Sequence, residues 1–112
     1  MCQYQSLYYD NRIGYVIRCT HCNYFQIGYG TVIMNLVTED FQVFYQKIRS
    51  YMSDFDKKEQ LSTFKSIAIP TPCEGLNLYL SEREVNELYQ MLDEADSEWK
   101  IISLTNLISR SQ

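Results

Sequence analysis

The sequence predicts an α+β fold, an antiparallel β-meander of about five or six strands with two or three helices packed on it. Eight of the ten tyrosines lie in the first 51 positions, where β-favouring residues concentrate. The hydrophobic period then changes to that of a helix at Thr38, and a helix-capping motif begins at Ser81. With 112 residues, of which 46% are hydrophobic, the chain is expected to form a single domain over residues 1–112.

The first third of the chain contains short β-favouring runs separated by turn residues. Asp10 and Asn11 indicate a turn, and Gly28 and Gly30 indicate a bend or a bulge. Because short consecutive strands joined by tight turns pair with their neighbours, this region is predicted to be an antiparallel meander. The predicted strands cover about Leu7 to Tyr9, Ile13 to Arg18, Tyr24 to Tyr29 and Thr31 to Val37.

A first helix is predicted to begin at Thr38, which is suited to be its N-cap, with the acidic Glu39 and Asp40 in the first turn. Apolar residues then follow the i, i+3, i+4, i+7 spacing of a helix with one buried face. They are Phe41, Phe44, Tyr45, Ile48, Tyr51, Met52 and Phe55. The polar stretch from Asp54 to Thr63 is predicted to be an exposed loop.

Two further strands are predicted after this loop, from Phe64 to Ile69 and from Leu76 to Leu80. Between them, the segment from Pro70 to Gly75 contains two prolines and one glycine. Proline fixes φ and glycine adopts positive φ at little cost, so this segment predicts a stiff turn. The turn holds Cys73 in a defined position.

The last helix is predicted to start at a capping box formed by Ser81 and Glu84. The apolar pattern continues to the C-terminus, with a break expected near Ser97 if the final segment forms a separate helix. The buried stripe is predicted to contain Val85, Leu88, Tyr89, Leu92, Ala95 and Trp99.

Charge and hydropathy exclude several classes of partner. Ten basic residues against fourteen acidic ones give a net charge of −4, so the attraction that dominates nucleic-acid binding is missing. No apolar run approaches the roughly 20 residues that a membrane span requires. The N-terminal residues lack the features of a signal peptide, which predicts a cytoplasmic protein in which disulfides are disfavoured.

The cysteines form the one motif that points to defined chemistry. Cys19 and Cys22 have C-x₂-C spacing and lie between two predicted strands, which predicts a zinc-knuckle-like hairpin. Such a turn directs two sulfurs to one point and supplies half of a tetrahedral zinc site. Cys2 and Cys73 are the predicted remaining ligands, and His21, the only histidine, is a possible substitute for either.

Two alternatives to zinc remain open for these residues. Cys19 and Cys22 could form a thiol redox couple, although a strand rather than a helix is predicted to follow them. Alternatively, the cysteines only pack, and the domain binds a partner without metal. No hydrolase, phosphate-binding or dinucleotide motif occurs in the sequence. We therefore expect a non-enzymatic, zinc-stabilised interaction module that binds a protein partner or forms a homo-oligomer.

Three segments resemble a family of short, uncharacterised bacterial proteins of the Bacteroidetes type, which is known only as a domain of unknown function. They are Met1 to Tyr4, Cys19 to Gly30 and Ile69 to Gly75, and the resemblance covers almost the whole chain. It implies a bacterial cytosolic setting and brings no activity with it. It also implies that the family's cysteine positions correspond to Cys2, Cys19, Cys22 and Cys73.

Overall fold

A computed structural model describes residues 3–55 and 59–110 of the chain. The α+β class is confirmed, since these residues form six strands and two helices. The strands are β1 (Tyr4–Asp10), β2 (Gly14–Cys19), β3 (Tyr24–Tyr29), β4 (Val32–Val37), β5 (Ile67–Pro70) and β6 (Asn77–Leu80), and the helices are α1 (Thr38–Ser53) and α2 (Glu82–Arg110).

Strands β1 to β4 form an antiparallel meander in sequence order, as predicted. At the first turn, the Asp10 carboxylate accepts hydrogen bonds from the backbone amides of Arg12 and Ile13 at 2.8 and 3.0 Å. These bonds hold the pKa of Asp10 below its usual value. Gly30 lies in the β3–β4 turn with φ +59°, but the bulge expected near Gly28 is instead in β1, after Ser6.

Strands β5 and β6 pair only with each other within the described residues, so the prediction of one sheet with five or six strands is wrong. The hairpin lies beside the end of the meander and directs Ile69, Leu78 and Leu80 into the core instead of extending the ladder. Strand β5 also begins later than predicted, and Phe64 is 81% exposed.

Helix α1 buries the predicted face but is not capped as predicted. Val37 occupies the N-cap position without a side-chain hydrogen bond, and Thr38 is the first helical residue. The hydroxyl of Thr38 instead donates to the carbonyl oxygen of Asn23 over 3.3 Å. The start of α1 is therefore attached to the β2–β3 turn.

Helix α2 begins at the predicted capping box, in which Ser81 N–H donates to Glu84 Oε1 at 2.9 Å and Glu84 N–H donates to Ser81 Oγ at 3.1 Å. The helix runs for 29 residues without the break expected at Ser97. Ser97 is exposed and the segment contains neither glycine nor proline, so nothing interrupts the helix. Residues 103–109 are all exposed. No helix within the described ranges combines the length and the hydrophobicity that a membrane crossing requires.

The core lies between one face of the meander and the two helices. At its centre, Phe25 stacks on Phe41 with ring centroids 4.2 Å apart and meets Trp99 edge-on at 5.1 Å. The opposite face of the meander carries no helix of the described chain, and we call it the open sheet face. Strand alternation and register assign to it Tyr4, Ser6, Tyr9, Tyr15, Ile17, Cys19, Tyr24, Gln26, Ile33, Asn35 and Val37.

Candidate functional site

The segment from Cys19 to Asn23, here called the cysteine turn, connects β2 to β3. The backbone amide of Cys22 donates to the Sγ atom of Cys19 over 3.2 Å, and the amide of Asn23 donates to the carbonyl oxygen of Cys19 over 3.1 Å. An N–H group directed at sulfur stabilises a thiolate more than a neutral thiol, because hydrogen bonds to ionised acceptors are stronger. The backbone of this turn therefore already supplies the kind of N–H···S hydrogen bond that a metal-bound thiolate accepts.

Asn23 gives the turn its shape. Its φ of 59° lies in the left-handed region, which asparagine tolerates better than most residues. Its side-chain oxygen accepts a hydrogen bond from Arg18 Nη2 at 2.8 Å, while its carbonyl oxygen accepts the bond from Thr38. Sequence reasoning missed Asn23, although an asparagine directly after the second cysteine was an available signal for a left-handed residue.

The two cysteines line a groove of about 290 Å³ at one end of the open sheet face. Cys19 is buried, with 4% exposure, whereas Cys22 is exposed. The floor is ordered by amide hydrogen bonds, since Tyr15 OH donates to Gln26 Oε1 at 2.8 Å and Gln26 Nε2 donates to Asn35 Oδ1 at 3.0 Å. The groove is lined by Tyr4, Cys19, Cys22, Tyr24, Gln26 and Asn35. None of these six residues is an aspartate, glutamate, lysine or arginine, so sulfur is the strongest ligand that the groove offers.

The start of β1 is fastened to the cysteine turn. Both the backbone amide and the hydroxyl of Thr20 donate to the carbonyl oxygen of Gln3, at 2.9 and 3.1 Å. Tyr4 is paired with Cys19 in the β1–β2 ladder. Cys2 lies outside the described residues.

Cys73 is not among the residues that line the groove of the cysteine turn. It is half-buried in the β5–β6 turn, where its amide donates to the hydroxyl of Thr71 at 3.2 Å. Pro70 and Pro72 of this turn line a second groove together with residues of α1. Within residues 3–55 and 59–110, no three His, Cys, Asp or Glu side chains are grouped as metal ligands. The structure therefore brings Cys19 and Cys22 together but not Cys73 or the exposed His21, and the four-cysteine site stays a prediction.

An aromatic and cationic cluster supports the cysteine turn from the helix side of the sheet. The guanidinium carbon of Arg18 lies 5.9 Å from the ring centroid of Phe25 and 5.8 Å from that of Trp99. Arg18 and Phe25 are register partners, directly before the turn and shortly after it. Cation–π contacts of this kind contribute about 0.5–1 kcal/mol or more when desolvated. Sequence reasoning placed Trp99 in the core but did not predict its contact with Arg18.

A family model described as a family of unknown function, DUF6686, matches residues 1–109. A search of curated proteins and a search of solved structures each found no match. The match to the family model includes the cysteine turn, the Pro-rich turn of Cys73 and nearly all of α2. Since it extends over almost the entire sequence, the chain belongs to the DUF6686 family.

Proposed function

We propose that this chain is a non-enzymatic protein-interaction module in which a structural zinc ion holds the cysteine turn. The observation that carries the proposal is the hydrogen bond from the Cys22 amide to Cys19 Sγ in a turn closed by the left-handed Asn23. A tetrahedral zinc site needs sulfurs at about 2.3 Å from the metal, and ligands that are oriented by further hydrogen bonds bind it more tightly. In the cysteine turn, the Cys22 amide already donates to Cys19 Sγ, so one of the proposed ligands has such an orienting hydrogen bond.

Cys2 is the proposed third ligand because of chain connectivity. Gln3, which directly follows Cys2 in the sequence, is the first residue that the structure describes. The carbonyl oxygen of Gln3 accepts two hydrogen bonds from Thr20, which lies inside the cysteine turn. We therefore propose Cys2, the residue bonded to Gln3, as the third ligand.

The fourth ligand is either Cys73, as the spacing predicts, or His21, which belongs to the cysteine turn itself. Cys73 belongs to the β5–β6 turn, whose two prolines line the groove beside α1, whereas His21 lies one residue from Cys22. A site closed by four protein ligands has no open position for a substrate, so it stabilises structure and does not catalyse. The proposed module therefore acts by offering a binding surface to a protein partner.

The first experiment is to measure the metal content of protein purified without chelator or added metal, together with the reactivity of its thiols. We expect about one zinc per chain, with thiols that react only after a chelator removes the metal. Cys22→Ser is the principal variant, because Cys22 is exposed and its replacement leaves the core intact. It should lose zinc while keeping its circular dichroism spectrum.

The matched pair Cys73→Ser and His21→Ala then identifies the fourth ligand. Cobalt substitution provides the readout, because thiolate-to-metal charge-transfer absorption scales with the number of cysteine ligands. If Cys73→Ser loses the absorption of one thiolate ligand, Cys73 is the fourth ligand. If His21→Ala keeps the full thiolate absorption but binds cobalt more weakly, His21 is the fourth ligand. Wild-type protein that contains no zinc and binds no cobalt contradicts the proposal.

The alternative is a thiol redox couple of Cys19 and Cys22. It is favoured by the different exposure of the two residues, since Cys22 is accessible to a partner and Cys19 is buried behind it. The strand β3 follows the turn, so no helix N-terminus stabilises a thiolate there. This function would be favoured if the purified protein contains no metal and Cys22 exchanges with a disulfide reagent. Partner binding without metal would be favoured if the metal-free protein still folds with serine at Cys2, Cys19, Cys22 and Cys73.

A further inference from the structure

The open sheet face lacks charged side chains, although the chain as a whole carries a net charge of −4. Strands β1 to β4 contain two charged residues, Asp10 and Arg18. The carboxylate of Asp10 accepts hydrogen bonds from the β1–β2 turn, and Arg18 lies over Phe25 and Trp99 on the helix side. The face consequently offers no electrostatic attraction to a basic or an acidic partner.

Five large apolar side chains on this face are exposed to solvent. Tyr4, Tyr9 and Ile33 are 62%, 73% and 62% exposed, and Tyr24 and Val37 are exposed to a smaller degree. With about 200 Å² for a whole tyrosine side chain, these five residues expose on the order of 500 Å². Two such faces in contact would bury about 1,000 Å² in total, the area at which a specific interface begins.

The polar groups on the face are able to pair with copies of themselves. The amides of Gln26 and Asn35 and the tyrosine hydroxyls each donate and accept hydrogen bonds. Across a two-fold axis, a contact of one residue with another is repeated with the two copies exchanged, so groups that both donate and accept are compatible with the symmetry. A face built only from such groups and apolar side chains is complementary to itself.

We propose that the open sheet face packs against the same face of a second copy of this chain, forming a two-fold symmetric dimer. The two four-stranded sheets would lie about 10 Å apart, as stacked sheets do. This arrangement puts the acidic α2 helices on the outer sides of the dimer. The distance between them then exceeds the Debye length of about 8 Å at physiological salt, so their repulsion is screened. The inference rests on the proposed interaction role but not on the zinc ion.

A second apolar surface competes with the sheet face and supplies a control. Beyond Trp99, the exposed end of α2 carries four aliphatic side chains, Ile101, Leu104, Leu107 and Ile108, which are 60%, 59%, 65% and 52% exposed. This stripe is about two helical turns, or roughly 11 Å, in length and lies on a single helix. It is narrower than the four-stranded face, so a symmetric dimer buries less area there.

The test compares Ile33→Glu with Ile101→Glu by sedimentation velocity and light scattering. The two isoleucines are equally exposed, at 62% and 60%, and the two variants change the net charge by the same amount. Wild-type protein should have twice the 13.3 kDa mass of the chain. Ile33→Glu should raise the dissociation constant at least about tenfold, because each copy would bury an unpaired carboxylate in an apolar interface. Ile101→Glu should leave it unchanged.

Three results would overturn the dimer: a wild-type monomer throughout the micromolar range, a dimer that Ile33→Glu does not weaken, or a dimer that Ile101→Glu dissociates. Should Ile33→Glu fail to fold, Tyr9→Ser tests the same face at its most exposed tyrosine. Metal content measured on the same samples separates the two proposals. A metal-free dimer contradicts the zinc site alone, and a zinc-loaded monomer contradicts the dimer alone.

Discussion

The aromatic ring of Tyr15 lies directly against Gly28, its register partner on β3. A Cβ atom at Gly28 would come within 2.2 Å of Tyr15 Cε1, so the ring occupies the space that any other side chain would need. Tyrosine over glycine restores the apolar contact that a glycine in a strand lacks. The ring also directs its hydroxyl towards Gln26 in the groove of the cysteine turn.

Gly28→Ala should therefore lower the free energy of unfolding by about 1–3 kcal/mol, as overpacking does. Tyr15→Ala should relieve the clash, so the double variant should be more stable than the sum of the two single costs implies. Urea unfolding of the four proteins in this cycle measures the coupling. Strictly additive costs would mean that the ring does not restrict position 28.

Ser81→Ala should reduce the free energy of unfolding by about 1 kcal/mol, since it leaves the amide of Glu84 without its acceptor at the start of α2. Ser97→Ala is the matched control, because Ser97 is an exposed serine in the middle of α2 and caps no helix. Its cost should stay within about 0.5 kcal/mol. Equal losses in the two variants, measured by chemical unfolding, would contradict the assignment of the caps.

Glu84 should make stability depend on pH. Burial acts to raise its pKa, but hydrogen bonds from Lys65 and from the Ser81 amide together hold the pKa below its ordinary value of 4.5. A carboxyl whose pKa is lower in the folded state stabilises the fold fully above about pH 4.5 and loses this contribution as the pH falls through the folded pKa.

Glu84→Gln should remove this acid-dependent part of the stability, and Lys65→Met should reduce it. Because Lys65 is half-exposed, the change in Lys65→Met should be below about 1 kcal/mol. Thermal unfolding between pH 7 and pH 3 tests both variants. A pH profile for Glu84→Gln that matches wild type would show that the carboxylate plays no such role.

Helices α1 and α2 are connected by a hydrogen bond from the hydroxyl of Tyr45 to the carboxylate of Asp93. Tyr45→Phe should cost about 1.5–3 kcal/mol, the range for hydrogen bonds to charged groups. Burial, followed by the bond to Asp93, raises the pKa of Tyr45. A raised pKa stabilises the fold below about pH 10, the usual tyrosine value, and this contribution is lost as the pH rises further.

Wild-type stability should thus fall at high pH more steeply than that of Tyr45→Phe. Tyr79→Phe serves as the control, since Tyr79 is 59% exposed and should change neither the free energy of unfolding nor its pH dependence. Chemical unfolding at pH 7 and at pH 10.5 provides the comparison. An alkaline loss of the same size in wild type and Tyr45→Phe would contradict the role given to this hydroxyl.

The features that the sequence predicted correctly depend on neighbours along the chain. The capping box needs only Ser81 and Glu84, and the meander needs only short strands with turn residues between them. The division of the strands into two sheets was missed because it depends on where the β5–β6 hairpin packs. The alternation of apolar and polar residues in β5 and β6 would be the same whether these strands joined the meander or formed a separate sheet. Ser97 was misread because serine is common both at caps and on exposed helix faces.

In the candidate site, too, the sequence predicted what depends on neighbouring residues and missed what depends on tertiary packing. Cys19 and Cys22 come together because they share one turn, so spacing alone was sufficient to pair them. The location of Cys73 depends on the packing of the β5–β6 turn beside α1, which no local pattern encodes. The open sheet face was missed as well, since alternation identifies two faces of a strand but not which one the helices cover.

The contacts of Trp99 give the molecule an optical probe of its own. It is the only tryptophan in the chain, and its ring touches Arg18 and Phe25, the paired residues on either side of the cysteine turn. A change at this turn that moves Arg18 or Phe25, whether it comes from metal loading, thiol oxidation or a change at Asn23, alters the immediate surroundings of that indole. Intrinsic fluorescence therefore follows the state of the turn in the unlabelled protein.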